Sequence, residues 1–329
     1  MIAPASRKVG SYEILHKLGR GGMADVYLAV ETTRGHQVAL KLIEHAPDAD
    51  TRDSIEAERR GSLLQARLAE IDPRVVRVYD AGDAGGFFYV AMEYVEGQDL
   101  SDLMRRGPLA TGFAVETAAA VARTLEHAHS LQAQQDGREF RGIVHGDIKP
   151  KNIRIDARGE VRVLDFGIAK ALSLSRKLTR NEFGSVPYAS PERLESGEVD
   201  FSSDLWSLAV MLYEMIAGAQ PFRGSSTEQL ERRIRNHVPA APLPESTPEP
   251  LRRILAQALS PDPAMRYAGA AAFAADLEAF REGREVSAPP LDDPGATRRT
   301  APRDEDGEAT RRTARDPSAA TTRTGASPG

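Results

Sequence analysis

Two short stretches of this chain concentrate groups able to do chemistry: Val144-His145-Gly146-Asp147-Ile148-Lys149-Pro150-Lys151-Asn152 and, soon after, Val163-Leu164-Asp165-Phe166-Gly167. Two Asp, one Lys and one Asn supply a proton acceptor, a cation for a phosphate and oxygen ligands for magnesium. That ion takes few carboxylates and completes its coordination with water and phosphate oxygens. The set suits phosphoryl transfer, and polar turn residues between short strands are the plainer alternative. Upstream, Leu18-Gly19-Arg20-Gly21-Gly22-Met23-Ala24-Asp25-Val26 lies between two β-prone runs. Glycines there let backbone amides approach phosphate oxygens where a Cβ would obstruct them. By itself the cluster is weak evidence, since a glycine cluster between strands is more often simply a hairpin turn. It gains weight from Val38-Ala39-Leu40-Lys41, which sets one Lys in an apolar run; an unpaired buried ammonium is costly, so Lys41 needs an edge or an anion.

The elements that must position these groups differ along the chain. The first hundred residues are β-prone, with short runs at 12–18, 25–30, 37–43, 75–80 and 87–94 separated by Gly-containing turns. One helix interrupts them at about 51–69, with Ile55, Leu63, Leu64 and Leu68 as its apolar face. After Gly97 the pattern turns helical, with candidates at 99–105, 111–131, 204–217, 226–236, 249–258 and 268–281. A small sheet-based lobe followed by a larger helical lobe is an α+β arrangement.

Composition bounds the rest. In 329 residues, 43 basic against 48 acidic side chains leave a net charge of −5, so nucleic acid is a poor partner. The absence of cysteine removes thiol chemistry and suits a reducing, cytoplasmic setting. The apolar run at 205–216 is too short to span a bilayer, and the N-terminus lacks a secretory pattern. Residues 284–329 hold eight Arg, eight acidic residues, seven Thr and six Pro, with Val286 and Leu291 the only large apolar side chains, and read as a disordered tail. Ala-Thr-Arg-Arg-Thr occurs there twice, at 296–300 and 309–313. It reads as either biased composition or a set of Thr phosphorylation sites.

Taken together, these segments resemble the protein kinase superfamily, and their wording is most similar to bacterial eukaryotic-like Ser/Thr protein kinases. Further matching segments are Phe88 to Gly97, similar to a kinase hinge, and Gly184 to Glu192, similar to the end of an activation segment. Ser203 to Leu208 and Asp262 to Tyr267 complete the order. The resemblance implies a bilobal kinase fold over residues 12–283, with a β-rich N-lobe of about 12–95 and a helical C-lobe of about 96–283, preceded by a short segment, 1–11. It implies ATP as phosphoryl donor, Mg2+ as cofactor, and Ser/Thr hydroxyls of proteins as acceptors, in bacterial signalling. Position by position, the loop at Gly19, Gly21 and Gly22 would cover the phosphates. Leu18, Val26 and Ala39 would also bind the nucleotide, Val26 over the adenine. Lys41 would hold the α- and β-phosphates, Met92 would stand behind the adenine, and the backbone of Glu93 and Val95 would read its edge. Asp147 would accept the hydroxyl proton, Lys149 would steady the γ-phosphate, and Asn152 with Asp165 would bind magnesium. Glu192 would pair with Arg266, and Asp204 would bond the catalytic-loop backbone.

Four departures from the family pattern stand out. Ala24 replaces the third glycine. The helix offers both Glu56 and Glu58 as partner for Lys41, of which Glu58 is chosen, and its connection ending at Pro73 is about five residues long in excess. Gly146 stands where relatives carry an Arg that meets an activation-loop phosphate, which makes control through Thr179 weaker; Lys170 or Arg176 could partly substitute. Residues 132–141 form an excursion expected to be a surface loop. His127 and His129, two apart on a helix, point in different directions and are expected to pack or cap rather than share a metal. His145 is expected to organise backbone and not to act as a base. Ala24 and Gly146 also motivate an alternative, a pseudokinase that binds nucleotide without transferring phosphate. The tail threonines Thr297, Thr300, Thr310 and Thr313 would, if phosphorylated, suit a phosphothreonine-binding partner.

Overall fold

The computed structural model describes residues 8–20, 24–135, 138–166, 186–197 and 199–291. The first lobe is a six-stranded antiparallel sheet made of β1 (Lys8–Val9), β2 (Tyr12–Arg20), β3 (Asp25–Glu31), β4 (Gln37–Glu44), β5 (Val78–Ala84) and β6 (Phe87–Glu93), in the order β1-β2-β3-β4-β6-β5. Alternation in β4 sends Val38, Leu40 and Leu42 into one cluster with Tyr12, Tyr27 and Ala91. Ala39 and Lys41 therefore emerge on the other face, paired across strands with Met92 and Val90.

Helix α1 (Ala49–Ile71) packs on that second face, its N-terminus capped by Asp48, whose carboxylate accepts from the Thr51 amide at 2.7 Å. At about 100° per residue, Ile55, Glu58, Ser62, Gln65, Leu64 and Leu68 fill the inward half of the helix. Leu63 falls instead on the outward arc with Glu56, Arg60 and Arg67 and is 51% exposed, so it does not belong to the apolar face. The extra length before Pro73 is helix: α1 runs on to Ile71, and Asp72 ends it, accepting from Arg74 at 2.9 Å. Burial pushes the Asp72 carboxyl up, but the bonds from Arg74 and Thr124 outweigh it and hold the group below the usual range. The strand expected at 75–80 begins three residues later, because the Val76 amide donates to Val163 and Val75 bridges the same residue, tying this turn to the second lobe.

The second lobe opens with β7 (Gly97–Asp99), α2 (Leu100–Met104) and α3 (Thr111–Ser130), and holds a three-stranded sheet in which β10 (Ile153–Asp156) lies between β7 and β11 (Val161–Val163). Two intervening strands, β8 (Gln132–Gln135) and β9 (Arg138–Arg141), make the excursion at 132–141 a paired hairpin rather than a plain loop. The remaining helices are α4 (Pro191–Ser196), α5 (Phe201–Ala217), α6 (Thr227–Arg235), α7 (Glu249–Ala258) and α8 (Ala270–Arg281). α5 is apolar nearly all round and lies at the centre of the lobe, where Trp206, Leu208, Met211 and Leu212 meet Leu125 and Phe273. A capping box between Asp200 and Ser203 starts it, and Gly218, at φ 66°, ends it.

The packed body does not stop at Gly283. Asp276 accepts bonds from Tyr267 Oη, the Ser287 amide and hydroxyl, and the Ala288 amide, all at 2.7–2.9 Å, and Val286 and Ala288 are buried. The segment through Leu291 thus belongs to the packed body, against the expectation of a tail from 284. Residues 292–329, including the repeated Thr-Arg motifs, lie outside the described residues. Among the described residues no helix is long and apolar enough to cross a membrane.

Candidate active site

The residues singled out for chemistry converge where the two lobes meet. Lys41, emerging from β4 toward α1, places its Nζ 2.8 Å from Glu58 Oε1 and 3.7 Å from Asp165 Oδ1. Glu58 is enclosed on the inward arc of α1, whereas Glu56 sits on the outward arc and meets Arg60 at 3.3 Å. Helix geometry separates the two glutamates by about 200°, so only one can face the sheet.

Below the sheet, the segment from Ile143 to the 3-10 turn Pro150–Asn152 is held as one piece. The Asp204 carboxylate accepts from the backbone amides of His145 and Gly146, both at 2.8 Å, and also lies 3.0 Å from His129 Nε2. Gly146 has φ +73°, a conformation that costs a side-chain-bearing residue about 1–2 kcal/mol. Its carbonyl accepts from Arg193 at 2.7 Å. The Asp147 amide donates to His145 Nδ1 at 3.2 Å, which makes Nδ1 an acceptor; Nε2 then carries the proton and donates to the Leu164 carbonyl at 3.0 Å. Both ring nitrogens are committed to backbone, so His145 organises the loop and is not a base. His127 turns elsewhere, with Nδ1 3.2 Å from Asp72, so the two helix histidines hold different carboxylates and share nothing.

Asp147 itself is buried, with Oδ2 2.6 Å from Lys149 Nζ and 3.0 Å from Asn152 Nδ2. Asn152 Nδ2 also donates to the Asp147 carbonyl at 2.8 Å. Both bonds use the amide nitrogen, which leaves Asn152 Oδ1 as the atom of that side chain suited to a metal. The Asn152 carbonyl in turn accepts from the Leu164 amide, one residue before Asp165. Asp165 has φ 57°, unusual for a non-glycine residue and a local strain of order 1–3 kcal/mol. Phe166 next to it is fully buried, its ring 4.5 Å from that of His145, and this anchorage sustains the strained turn. The Asp165 carboxylate remains about 38% exposed beside Lys41. An amide oxygen and a carboxylate on backbones joined by one hydrogen bond are hard oxygen donors of the kind magnesium takes, and they fit that ion.

The other wall of the cleft is formed by the sheet and the connection that follows it. Val26 pairs with Lys41, and Ala39 with Met92, which is buried. Val95 is buried as well, and Glu93 ends β6. Leu18 is 41% exposed on β2, with Gly19 next to it. Ala24 packs its methyl among Ile43, Ile55 and Val76. Gly21 and Gly22 lie outside the described residues, as do Gly167, Lys170, Arg176, Thr179, Gly184 and Ser185.

Residues 12–277 match the protein kinase domain family. The chain belongs to that family. It is 36% identical over 294 residues to a protein of Streptomyces coelicolor named a probable serine/threonine-protein kinase, covering 85% of this chain and 41% of that protein. It is 35% identical over 273 residues to the serine/threonine-protein kinase PrkC of Bacillus subtilis, covering 82% and 40%. It is 34% identical over 290 residues to the serine/threonine-protein kinase PknB of Mycobacterium leprae, covering 84% and 44%. The chain thus spans about two fifths of the length of these curated relatives. The kinase fold, a curled β-rich lobe with one helix above a helical lobe, is the one expected from the sequence.

The kinase domain also contains bonds that sequence reasoning did not reach. Glu192 and Arg266 form the expected pair, two bonds at 2.7 and 2.9 Å, but the fully buried Arg266 also stacks over Trp206 at 4.8 Å and donates to Ser202 and the Ser260 carbonyl. Arg154 bonds the connection between the lobes. Its only sequence signal is a charge between two isoleucines in a β-prone run, Ile153-Arg154-Ile155, which demands a partner without naming it.

Proposed function

We propose that this chain is a protein serine/threonine kinase that transfers the γ-phosphoryl group of ATP to Ser or Thr hydroxyls of proteins, its own threonines included, in bacterial signalling. The observation that carries the reading is the position of Lys41, bonded to Glu58 at 2.8 Å and 3.7 Å from Asp165, across the cleft from the Asp147, Lys149 and Asn152 cluster. Glu58 holds the Lys41 ammonium in the cleft, where it is suited to the α- and β-phosphates. Asp147 takes the proton of the acceptor hydroxyl as that oxygen bonds to the γ-phosphorus, and the bond to the departing β-phosphate oxygen breaks. Lys149, next to Asp147, meets the charge of the group in transit. Asn152 and Asp165 would hold magnesium, which neutralises charge on the phosphate oxygens. Each role is positional or electrostatic, as a loose phosphoryl transition state requires. The absence of cysteine suits a cytoplasmic location.

Incubation with γ-labelled ATP, magnesium and a generic protein acceptor tests the reading. Phosphoserine and phosphothreonine are expected from wild type and background alone from Lys41→Met; equal background from both would favour nucleotide binding without transfer.

Two expectations concern control. Gly146 offers no side chain to a phosphorylated activation segment, so Thr179→Ala is expected to lower kcat/KM by less than about threefold, because a charge-assisted contact that is absent cannot be lost. A loss beyond tenfold in a folded variant would show that another cation takes the phosphate. In the tail, phosphopeptide mapping of the active protein is expected to find Thr297, Thr300, Thr310 or Thr313 modified, giving a site for a phosphothreonine-reading partner. Finding all four unmodified would remove that role.

A further inference from the structure

The connection from β6 to β7 is gripped from below by two arginines. Arg154 Nε donates to the Val95 carbonyl at 2.8 Å and Nη2 to the Gly97 carbonyl at 2.8 Å, while Nη1 meets Asp99 Oδ1 at 2.5 Å. Arg162, directly opposite Arg154 in the β10–β11 register, meets Glu93 Oε2 at 2.7 Å. Two like charges facing each other across a ladder are unfavourable unless each has its own anion, and here Asp99 and Glu93 fill that need. Gly97 lets the strands close up at this point, since a Cβ on it would stand 2.1 Å from the Ile155 carbonyl oxygen. Arg154 comes two residues after Asn152 and leaves its strand on the face opposite the buried Ile153 and Ile155. It therefore spans from the metal-ligating end of the cleft to the connection that would read the base.

We propose that Arg154 is a specificity-determining residue of the nucleotide site: by engaging the Val95 carbonyl it withholds that acceptor from the base, so the site takes adenine and disfavours purines with a 2-amino group. The proposal rests on reading the cleft as a nucleotide site. Along its edge adenine presents a 6-amino donor, the N1 acceptor and then C2–H. With N1 read by the Val95 amide, whatever stands at C2 faces the Val95 carbonyl. A 2-amino group would seek to donate there. The oxygen has a second lone pair, but the guanidinium on the first brings positive charge against any further donor. Arg154 is anchored at three points, so it does not swing aside without giving up charge-assisted bonds.

Calorimetric dissociation constants for ADP and for the 2,6-diaminopurine analogue of ADP, with magnesium, test this on the full chain. Wild type is expected to bind the analogue no tighter than ADP. In Arg154→Met the ratio of the two constants is expected to move about tenfold toward the analogue, the scale of one regained hydrogen bond and one relieved repulsion. Arg154→Lys, which cannot reach all three partners at once, is expected to fall between. Arg162→Met removes a brace on Glu93 without freeing the Val95 carbonyl, so its ratio should equal that of wild type even if its stability drops. Equal ratios in wild type and both Arg154 variants, with ADP bound normally, would overturn the role of Arg154 alone. Failure of wild type to bind ADP would overturn the nucleotide site and this inference with it.

Discussion

Replacing Asp147 by Asn is expected to lower kcat for phosphoryl transfer about a hundredfold to ten-thousandfold, the range in which a positioned proton acceptor contributes, while nucleotide affinity stays within about twofold. The substitution keeps the shape of the side chain and removes its capacity to take a proton. Asp147 is held by its own amide on His145 Nδ1, and its carboxylate lies between Lys149 and Asn152. The loop is anchored separately through Asp204, so its backbone should survive the change. A loss confined to kcat marks an interaction made in the transition state rather than in binding. Steady-state kinetics beside equilibrium titration of ADP separates the two. A variant that transfers phosphate within tenfold of the wild-type rate would deny Asp147 its role, and one that loses nucleotide binding equally would make the residue structural.

The second large effect is on stability. Glu192→Ala is expected to cost about 3 kcal/mol, the lower end for breaking a buried pair by deleting one partner, and to lower Tm by roughly 6–10 °C for a domain of this size. Arg266 has no exposed side-chain surface, so without Glu192 its charge is left with the Trp206 ring and neutral oxygens, those of Ser202, Ser260 and Pro261. Glu192→Gln keeps one acceptor and should lose about half as much. The same pair gives a pH signature. Burial raises the Glu192 carboxyl, but Arg266 more than offsets this and holds it below its ordinary value. A depressed carboxylate stabilises the fold fully above its unfolded value of about 4.3, and that contribution fades as pH falls through the lower folded value. Thermal unfolding followed from pH 7 to pH 3 should therefore show wild type and Glu192→Ala converging in acid. Parallel curves would exclude the pair as the source.

How much of the structure is legible in the sequence depends on the range of the interaction concerned. Local pattern sufficed for β2, β3, β4 and β6 and for the existence of α1, because alternation along a strand and the 100° step of a helix are properties of neighbouring residues, but not for β1 or for the start of β5. The same step, applied strictly, separates Glu58 from Glu56 and would have moved Leu63 to the solvent side. The β8–β9 hairpin reads as a loop in the sequence because its strands are rich in Gln and lack the apolar alternation that marks a half-buried strand. The segment 284–291 looked like tail because two apolar residues cannot order it; what orders it is Asp276, whose four donors come from residues 9–12 positions away. Arg154 was illegible for a stronger reason. Its partners at Val95, Gly97 and Asp99 are 55–59 residues distant, and the long-range pairing of β10 with β7, which sets Arg154 opposite Asp99, brings them together.

Calorimetric titration of the full chain with a non-hydrolysable ATP analogue, with and without magnesium, tests most directly whether the cleft around Lys41 and Asp165 is built for a metal-bound nucleotide. Saturable one-to-one binding that strengthens with magnesium in wild type, and loses that dependence in Asp165→Asn, is the predicted result. No saturable binding to wild type at millimolar analogue, or binding indifferent to both magnesium and Asp165, would contradict it.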